Sequence, residues 1–166
     1  MAKVFIDGSS GTAGLRIHSR LAGRADIELT VLDGAERRDV KKRRDALNGC
    51  DIAVLCLPDD ASRESVSMIE NPDVRVVDTS TAHRVSPGWA YGFPELPAAH
   101  REAIVSGKRV ASPGCHAGGF IALVQPLVEA GALPVDALLA CHSLTGYSGG
   151  GKGMIAEYES GSRPAA

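Results

Sequence analysis

Along the first eighty positions, short apolar runs alternate with longer polar stretches in which apolar residues recur at helical spacing. The apolar runs are Val4-Phe5-Ile6, Ile27 to Leu32, Ile52 to Leu57 and Val74 to Asp78. Their length and β-branched content predict strands. Between the first two, Leu15, Ile17 and Leu21 lie among polar residues and the pattern stops at Gly23, which predicts a helix. A charged segment from Ala35 to Leu47 predicts a second helix with one solvated face. Pro58-Asp59-Asp60 opens a third, reaching about Ile69. Ile52 to Leu57 has no polar alternation, as expected of a strand buried on both faces of a parallel sheet. Repeated β-α-β units of this kind predict an α/β fold, a doubly wound Rossmann-type parallel sheet.

After Thr79 the rhythm breaks. Residues 81–107 are rich in turn-formers and carry Trp89, Tyr91 and Phe93. A strand-like stretch from Arg109 to Ser112 leads into Pro113-Gly114 and then a helix from about His116 to Ala130. Pro126 is expected to kink that helix and Gly131 to stop it. Ala137 to Leu144 reads as a further strand, and Thr145 to Gly153 as a loop too glycine-rich for a core element. The chain thus divides into a dinucleotide-binding Rossmann domain, residues 1–112, and the beginning of an α+β catalytic or substrate domain, residues 113–166. That second domain is expected to be incomplete, because only a short tail ending Arg163-Pro164-Ala165-Ala166 follows the glycine-rich loop.

Composition narrows the classes. Hydrophobic residues make up 44% and charged residues 23%, an ordinary globular balance. A net charge of −2 gives no electrostatic case for nucleic acid or an anionic membrane. No apolar run approaches the length of a bilayer span, and because the opening residues pass straight into a strand pattern no signal peptide is expected. The four cysteines show neither a CxxC pair nor zinc-ligand spacing, so no metal site is expected, and Cys56 lies in an apolar run as a core residue would. A reduced, cytoplasmic protein is the expected class.

Two features carry chemistry. Cys115 stands where a Pro-Gly turn meets a helix start, facing unsatisfied backbone N–H groups and the positive end of the helix dipole. Such a setting favours the thiolate and suits covalent catalysis through a thioester, although a free cysteine is more commonly structural. Gly8, Gly11 and Gly14 lie between the first strand and first helix, where glycine allows a tight turn and close approach of a pyrophosphate. Their spacing is GxxGxxG rather than GxGxxG, and Ser9, Ser10 and Thr12 add hydroxyl donors. Asp33, closing the second strand, would suit the ribose of NAD, whereas Arg37 and Arg38 would suit the 2′-phosphate of NADP, so the choice stays open on these residues.

A specific likeness rests on five blocks in order: Gly8-Ser9-Ser10-Gly11-Thr12-Ala13-Gly14, Asp78-Thr79-Ser80-Thr81-Ala82-His83-Arg84, Tyr91-Gly92-Phe93-Pro94-Glu95-Leu96, Pro113-Gly114-Cys115 and Ser148-Gly149-Gly150-Gly151-Lys152. The series resembles the N-acetyl-gamma-glutamyl-phosphate reductases of arginine biosynthesis, particularly their shorter bacterial type. It covers nearly the whole chain but about half the family's usual length. The resemblance implies NADPH-dependent reduction of N-acetyl-glutamyl 5-phosphate, a small-molecule acyl phosphate, to the semialdehyde with release of phosphate. It implies Cys115 as the nucleophile and tips the cofactor towards NADP, with NAD not excluded. Gly8, Ser10, Gly11, Thr12, Ala13, Gly14 and Ser80 are the candidate cofactor contacts. Glu95, Ser148, Gly149 and Lys152 are candidates for substrate or phosphate, the last three as an anion nest.

The family's catalytic histidine lies beyond this chain's end, and none of His18, His83, His100, His116 or His142 stands in its context. Losing a general acid/base costs on the order of a hundredfold to ten-thousandfold in rate, so the chain alone is expected to be inactive or weakly active. Two rival readings are an aspartate-semialdehyde dehydrogenase-like enzyme, against which Tyr91 to Leu96 argues, and a non-catalytic nucleotide-binding module or pseudoenzyme. Uncovered sheet edges would favour self-association, and the full-length form is expected to be a homo-oligomer.

Overall fold

The computed structural model describes residues 1–161. Six strands form one parallel sheet: β1 (Ala2–Asp7), β2 (Ile27–Val31), β3 (Ile52–Leu55), β4 (Arg75–Asp78), β5 (Ala90–Tyr91) and β6 (Arg109–Ala111). Their spatial order is β2-β1-β3-β4-β6-β5, with β1 pairing both β2 and β3 in parallel. The order reverses direction at β1, which opens a crevice at the carboxyl ends of β1 and β3, where ligands bind in sheets of this kind. The α/β, Rossmann-type reading of the sequence is thus correct.

Alternation within each strand builds two cores. Val4 and Ile6 of β1 pack with Val54 of β3 on one face, against Ile17 and Leu21 of helix α1 (Thr12–Leu21). Phe5 packs with Ala53 and Leu55 on the other, against Leu47 of helix α2 (Val40–Gly49) and Val66 of helix α3 (Asp59–Ser67). Registering Phe5 with Ala53 and Ile6 with Val54 keeps these sets apart across the sheet.

Several local readings are corrected. The charged helix expected from Ala35 to Leu47 is two pieces: a 3-10 turn, Glu36–Arg38, then α2. Asp39 separates them because its carboxylate accepts from the Lys42 N–H at 3.1 Å, making it an N-cap rather than a helical residue. The charge run is also not uniformly solvated, since Arg43 is buried. Helix α3 stops at Ser67, short of Ile69. Residues 81–107 hold β5 and helix α4 (Ala98–Ser106), which begins directly after Pro97, where a fixed φ favours helix entry. Helix α5 (Cys115–Glu129) runs unbroken through Pro126 and includes Cys115 as its first residue.

The strand expected over Ala137 to Leu144 does not form. Those residues pair with no described strand, and Leu138 and Leu144 are almost fully exposed. Apolar alternation makes a strand only when a neighbour supplies the ladder of hydrogen bonds. The glycine-rich segment, expected as a loop, instead forms a 3-10 turn, Tyr147–Gly150, and helix α6 (Gly151–Glu159), which the edge-on pair Tyr147–Tyr158 ties together. The tail from residue 162 lies outside the described residues, as does the side chain of Lys152.

Candidate active site

The glycine turn joins β1 to α1, and its three glycines answer three different demands. Gly8 has φ +89°, and a Cβ there would lie 2.3 Å from the Cys56 carbonyl oxygen of the neighbouring β3 crossover. A Cβ on Gly14, inside α1, would lie 2.3 Å from the Gly8 carbonyl oxygen, so its hydrogen lets the helix sit on the turn. Gly11 caps α1, and its nearest neighbours would be at 3.6 and 3.8 Å. Among the described residues no close contact excludes a side chain at Gly11; glycine there caps α1 and leaves its backbone open to a ligand. The first intrahelical bond of α1 runs from the Leu15 N–H to the Gly11 carbonyl at 2.9 Å, so the Thr12, Ala13 and Gly14 amides precede the ladder.

A cleft of about 650 Å³ opens over this turn, lined by Gly8, Ser10, Gly11, Thr12 and Ala13, by Thr79 after β4, and by Ser148 and Gly149. An open turn, free first-turn amides and hydroxyl donors fit a dinucleotide pyrophosphate. A smaller cleft of about 200 Å³ shares Gly8, Ser10 and Leu57 with it and is lined also by Ser9, Arg37 and Arg38; Asp33 is not in its lining. The floor is held by Arg43, which donates to Asp7 Oδ2 from Nη2 at 3.1 Å and to the Ser65 hydroxyl at 2.7 Å. This pair is buried and connects α2 to β1 directly under the glycine turn.

Cys115 is exposed at the start of α5, capped by Gly114. The first α5 ladder bond runs from the Gly118 N–H to the Gly114 carbonyl at 2.7 Å, so three amides, beginning with that of Cys115, precede it. With His116, Cys141, Ser143, Ser148 and Gly149 among its neighbours, the cysteine lines a cleft of about 740 Å³. His116 spans that cleft: Nδ1 hydrogen-bonds with the Ser143 hydroxyl, and Nε2 lies 3.0 Å from Thr145 Oγ1. Cys141 shares this cleft, whereas Cys50 and Cys56 lie outside its lining and are poor nucleophiles. Burial pushes the Cys50 thiol up and raises that of Cys56 to about 11.

The segment after β4 acts as a brace. Ser80, a candidate cofactor contact, is buried and donates to Asp78 from its hydroxyl at 2.7 Å and its N–H at 3.0 Å; it is not in the lining of the glycine-turn cleft. His83 Nδ1 lies 2.6 Å from Asp78 Oδ2, and its ring stacks on Trp89 at 4.1 Å. Burial alone would push the Asp78 carboxyl up, but the His83 and Ser80 hydrogen bonds outweigh it and hold the group below its usual range. Glu95 is exposed in the turn before α4 and lines neither large cleft.

Arg84 was not singled out by sequence reasoning, yet it joins the two halves of the site. It donates to the Ser112 carbonyl from Nε at 3.0 Å and to the Thr79 carbonyl from Nη2 at 3.3 Å. A Cβ at Gly114 would lie 2.6 Å from Arg84 Nη1, so the guanidinium packs closely against the turn that presents Cys115. Only its place at the end of the Asp78–Arg84 block could have flagged it.

A parallel sheet with a glycine turn at its switch point and an exposed cysteine at a neighbouring helix start defines a dinucleotide-binding domain. The chain belongs to the semialdehyde dehydrogenase family, whose NAD-binding domain matches residues 3–105. It is 54% identical over 158 residues to an N-acetyl-gamma-glutamyl-phosphate reductase of Burkholderia orbicola, covering 95% of this chain and 50% of that protein. A protein of the same name from a Chelativorans species is 56% identical over 158 residues, covering 95% and 51%. The chain therefore spans about half the length of the curated relatives it matches. Among solved structures, aspartate semialdehyde dehydrogenase from Francisella tularensis superposes with a TM-score of 0.68 at 18% identity, over 95% of this chain and 48% of that one. Aspartate semialdehyde dehydrogenase II from Vibrio cholerae gives 0.66 at 15%, over 100% and 55%. At these identities the structural likeness concerns the fold. Among the described residues, no helix is long and apolar enough to cross a membrane.

Proposed function

We propose that this chain carries the cofactor-binding and nucleophile-bearing parts of an NADPH-dependent reductase that converts N-acetyl-glutamyl 5-phosphate to the semialdehyde in arginine biosynthesis. The supporting observation is a shared wall: Ser148 and Gly149 line both the glycine-turn cleft and the Cys115 cleft. An acyl group on the cysteine and the nicotinamide of a cofactor whose pyrophosphate lies over the turn would meet there. The names of the sequence relatives favour the acetylglutamyl substrate over the aspartyl one. Residues 1–112 would bind the cofactor and the segment from 113 would present the nucleophile. The Arg37–Arg38 wall beside Ser9 and Ser10 supports NADPH, because two guanidinium groups suit a 2′-phosphate.

In this reading Cys115 attacks the acyl carbon, the C–S bond forms, and the acyl C–O bond breaks as phosphate departs. The nicotinamide cofactor, when bound, supplies the hydride that reduces the thioester carbon. Collapse of the resulting thiohemiacetal breaks the C–S bond, releases the aldehyde and returns the thiolate. Ser148, Gly149 and Lys152 receive the departing phosphate. The full-length protein acts in the cytoplasm as a homo-oligomer.

The test uses two half-reactions on this chain. NADPH should bind, and Arg37→Ala with Arg38→Ala should weaken NADPH by about tenfold or more while leaving NADH unchanged. Incubation with the acyl phosphate should add one acyl group at Cys115 by mass spectrometry, and Cys115→Ser should abolish it. Absence of NADPH binding, or equal acylation of the serine variant, overturns the reading.

A further inference from the structure

We propose that Cys115 and Cys141 form an oxidisable dithiol: hydroperoxides attack Cys115, and Cys141 closes an intramolecular disulfide. The inference stands on thiol placement and does not depend on the reductase reading. Of the four cysteines, Cys115 and Cys141 are exposed, whereas Cys50 is buried and Cys56 is partly buried with its thiol pushed up to about 11. The two exposed thiols line one cleft, Cys115 from the start of α5 and Cys141 from the irregular segment that follows it in the chain.

Hydrogen bonds tie α5 to that segment at positions close in sequence to both cysteines. His116, adjacent to Cys115, takes the hydroxyls of Ser143 and Thr145, at the second and fourth positions after Cys141. Residues 141, 143 and 145 alternate along an irregular segment that is held by side chains rather than by a sheet ladder. Such a segment can move to the Cα spacing a disulfide requires without breaking secondary structure. A metal-binding alternative is disfavoured by the same contacts, because both His116 nitrogens are already engaged by hydroxyls.

The chemistry balances in two steps. The Cys115 thiolate attacks a hydroperoxide oxygen; the O–O bond breaks, sulfur is oxidised to sulfenic acid, and an alcohol or water is released. The Cys141 thiol then attacks that sulfur, the S–O bond breaks, and water leaves as the disulfide forms. The hydroperoxide is the oxidant for both electrons. Closure would shield Cys115 from further, irreversible oxidation and would be reversed by a dithiol reductant.

Sequence layout makes the test direct. No lysine or arginine lies between Arg109 and Lys152, so trypsin leaves both cysteines in one peptide, and cleavage after Glu129 then separates them unless they are bonded. After one equivalent of hydrogen peroxide, the full chain should give halves joined until reduction, with Cys50 and Cys56 still alkylatable. In Cys141→Ser, Cys115 should instead trap dimedone, rising from near none to near one adduct per chain; in Cys115→Ser, Cys141 should stay reduced. Three results would overturn the proposal: sulfinic acid at Cys115 of the parent without a joined peptide, a cross-link only between two chains, or equal dimedone labelling of parent and Cys141→Ser.

Discussion

Gly14→Ala probes the closest approach in the site. In isolation the change favours a helix by up to about 1 kcal/mol, because alanine is the better helix former. Here the added methyl would lie 2.3 Å from the Gly8 carbonyl oxygen and within 2.9 Å of two Ser9 backbone atoms, about 1 Å inside normal contact. All three are backbone, so α1 must withdraw from the turn rather than a side chain rotate. Overpacking costs about 1–3 kcal/mol, and against immovable backbone the upper part of that range, about 2–3 kcal/mol, applies, leaving a net loss of roughly 1–2 kcal/mol. For a domain of this size the melting temperature should fall by about 2–8 °C. Thermal unfolding followed by far-UV circular dichroism measures it, with two glycines as references. Gly49→Ala, at the end of α2 with nothing within 4 Å, should be neutral or stabilising by up to about 1 kcal/mol. Gly11→Ala meets only ordinary contacts, so it should cost no more than about 1 kcal/mol through the weaker cap. Its effect should instead appear as lost NADPH affinity. If Gly14→Ala melts at or above the parent while Gly49→Ala behaves as stated, the close packing of α1 on the glycine turn is wrong.

Two further outcomes concern the buried charges. Since the Asp78 carboxyl is held below its usual range in the folded state, its stabilising contribution is complete above the unfolded value near pH ~4 and is lost as pH falls through the folded value. Urea midpoints should therefore fall steeply below about pH 4 in the parent and less steeply in Asp78→Asn; superimposable acid limbs would refute the His83–Asp78–Ser80 brace. Arg43→Met should cost about 3–5 kcal/mol by leaving the Asp7 carboxylate buried and unpaired, whereas Arg44→Met, whose pair with Glu70 is exposed, should cost no more than about 1 kcal/mol. Equal losses in urea denaturation would show that burial does not distinguish the two pairs.

The local chemistry of the sequence carried far in the first half of the chain. The four apolar runs became β1 to β4 because each contains the residues that the two faces of a parallel sheet bury, and the order of runs and helical stretches leaves few topologies. Gly8 and Gly14 were legible as a turn, and Cys115 as a helix-start thiol, because backbone demands act within a few residues. The failures lay where a partner distant in sequence decided the outcome. Arg43 sits in a charge run that reads as solvated, yet Asp7 and Ser65 draw it inside. The alternation of Ala137 to Leu144 reads as a strand, yet no described neighbour pairs with it.

Residue order alone was enough for the parallel α/β architecture, the position of the glycine turn and the placing of a cysteine at a helix start, since periodicity, capping and backbone freedom are short-range properties. It could not show that Ser148 and Gly149 wall both clefts, that Arg84 supports the cysteine turn, or that Cys141 shares a cleft with Cys115. Those relations arise from packing between segments tens of residues apart. Only when the sheet order and the approach of α5 to the 139–149 segment are set do such contacts exist at all.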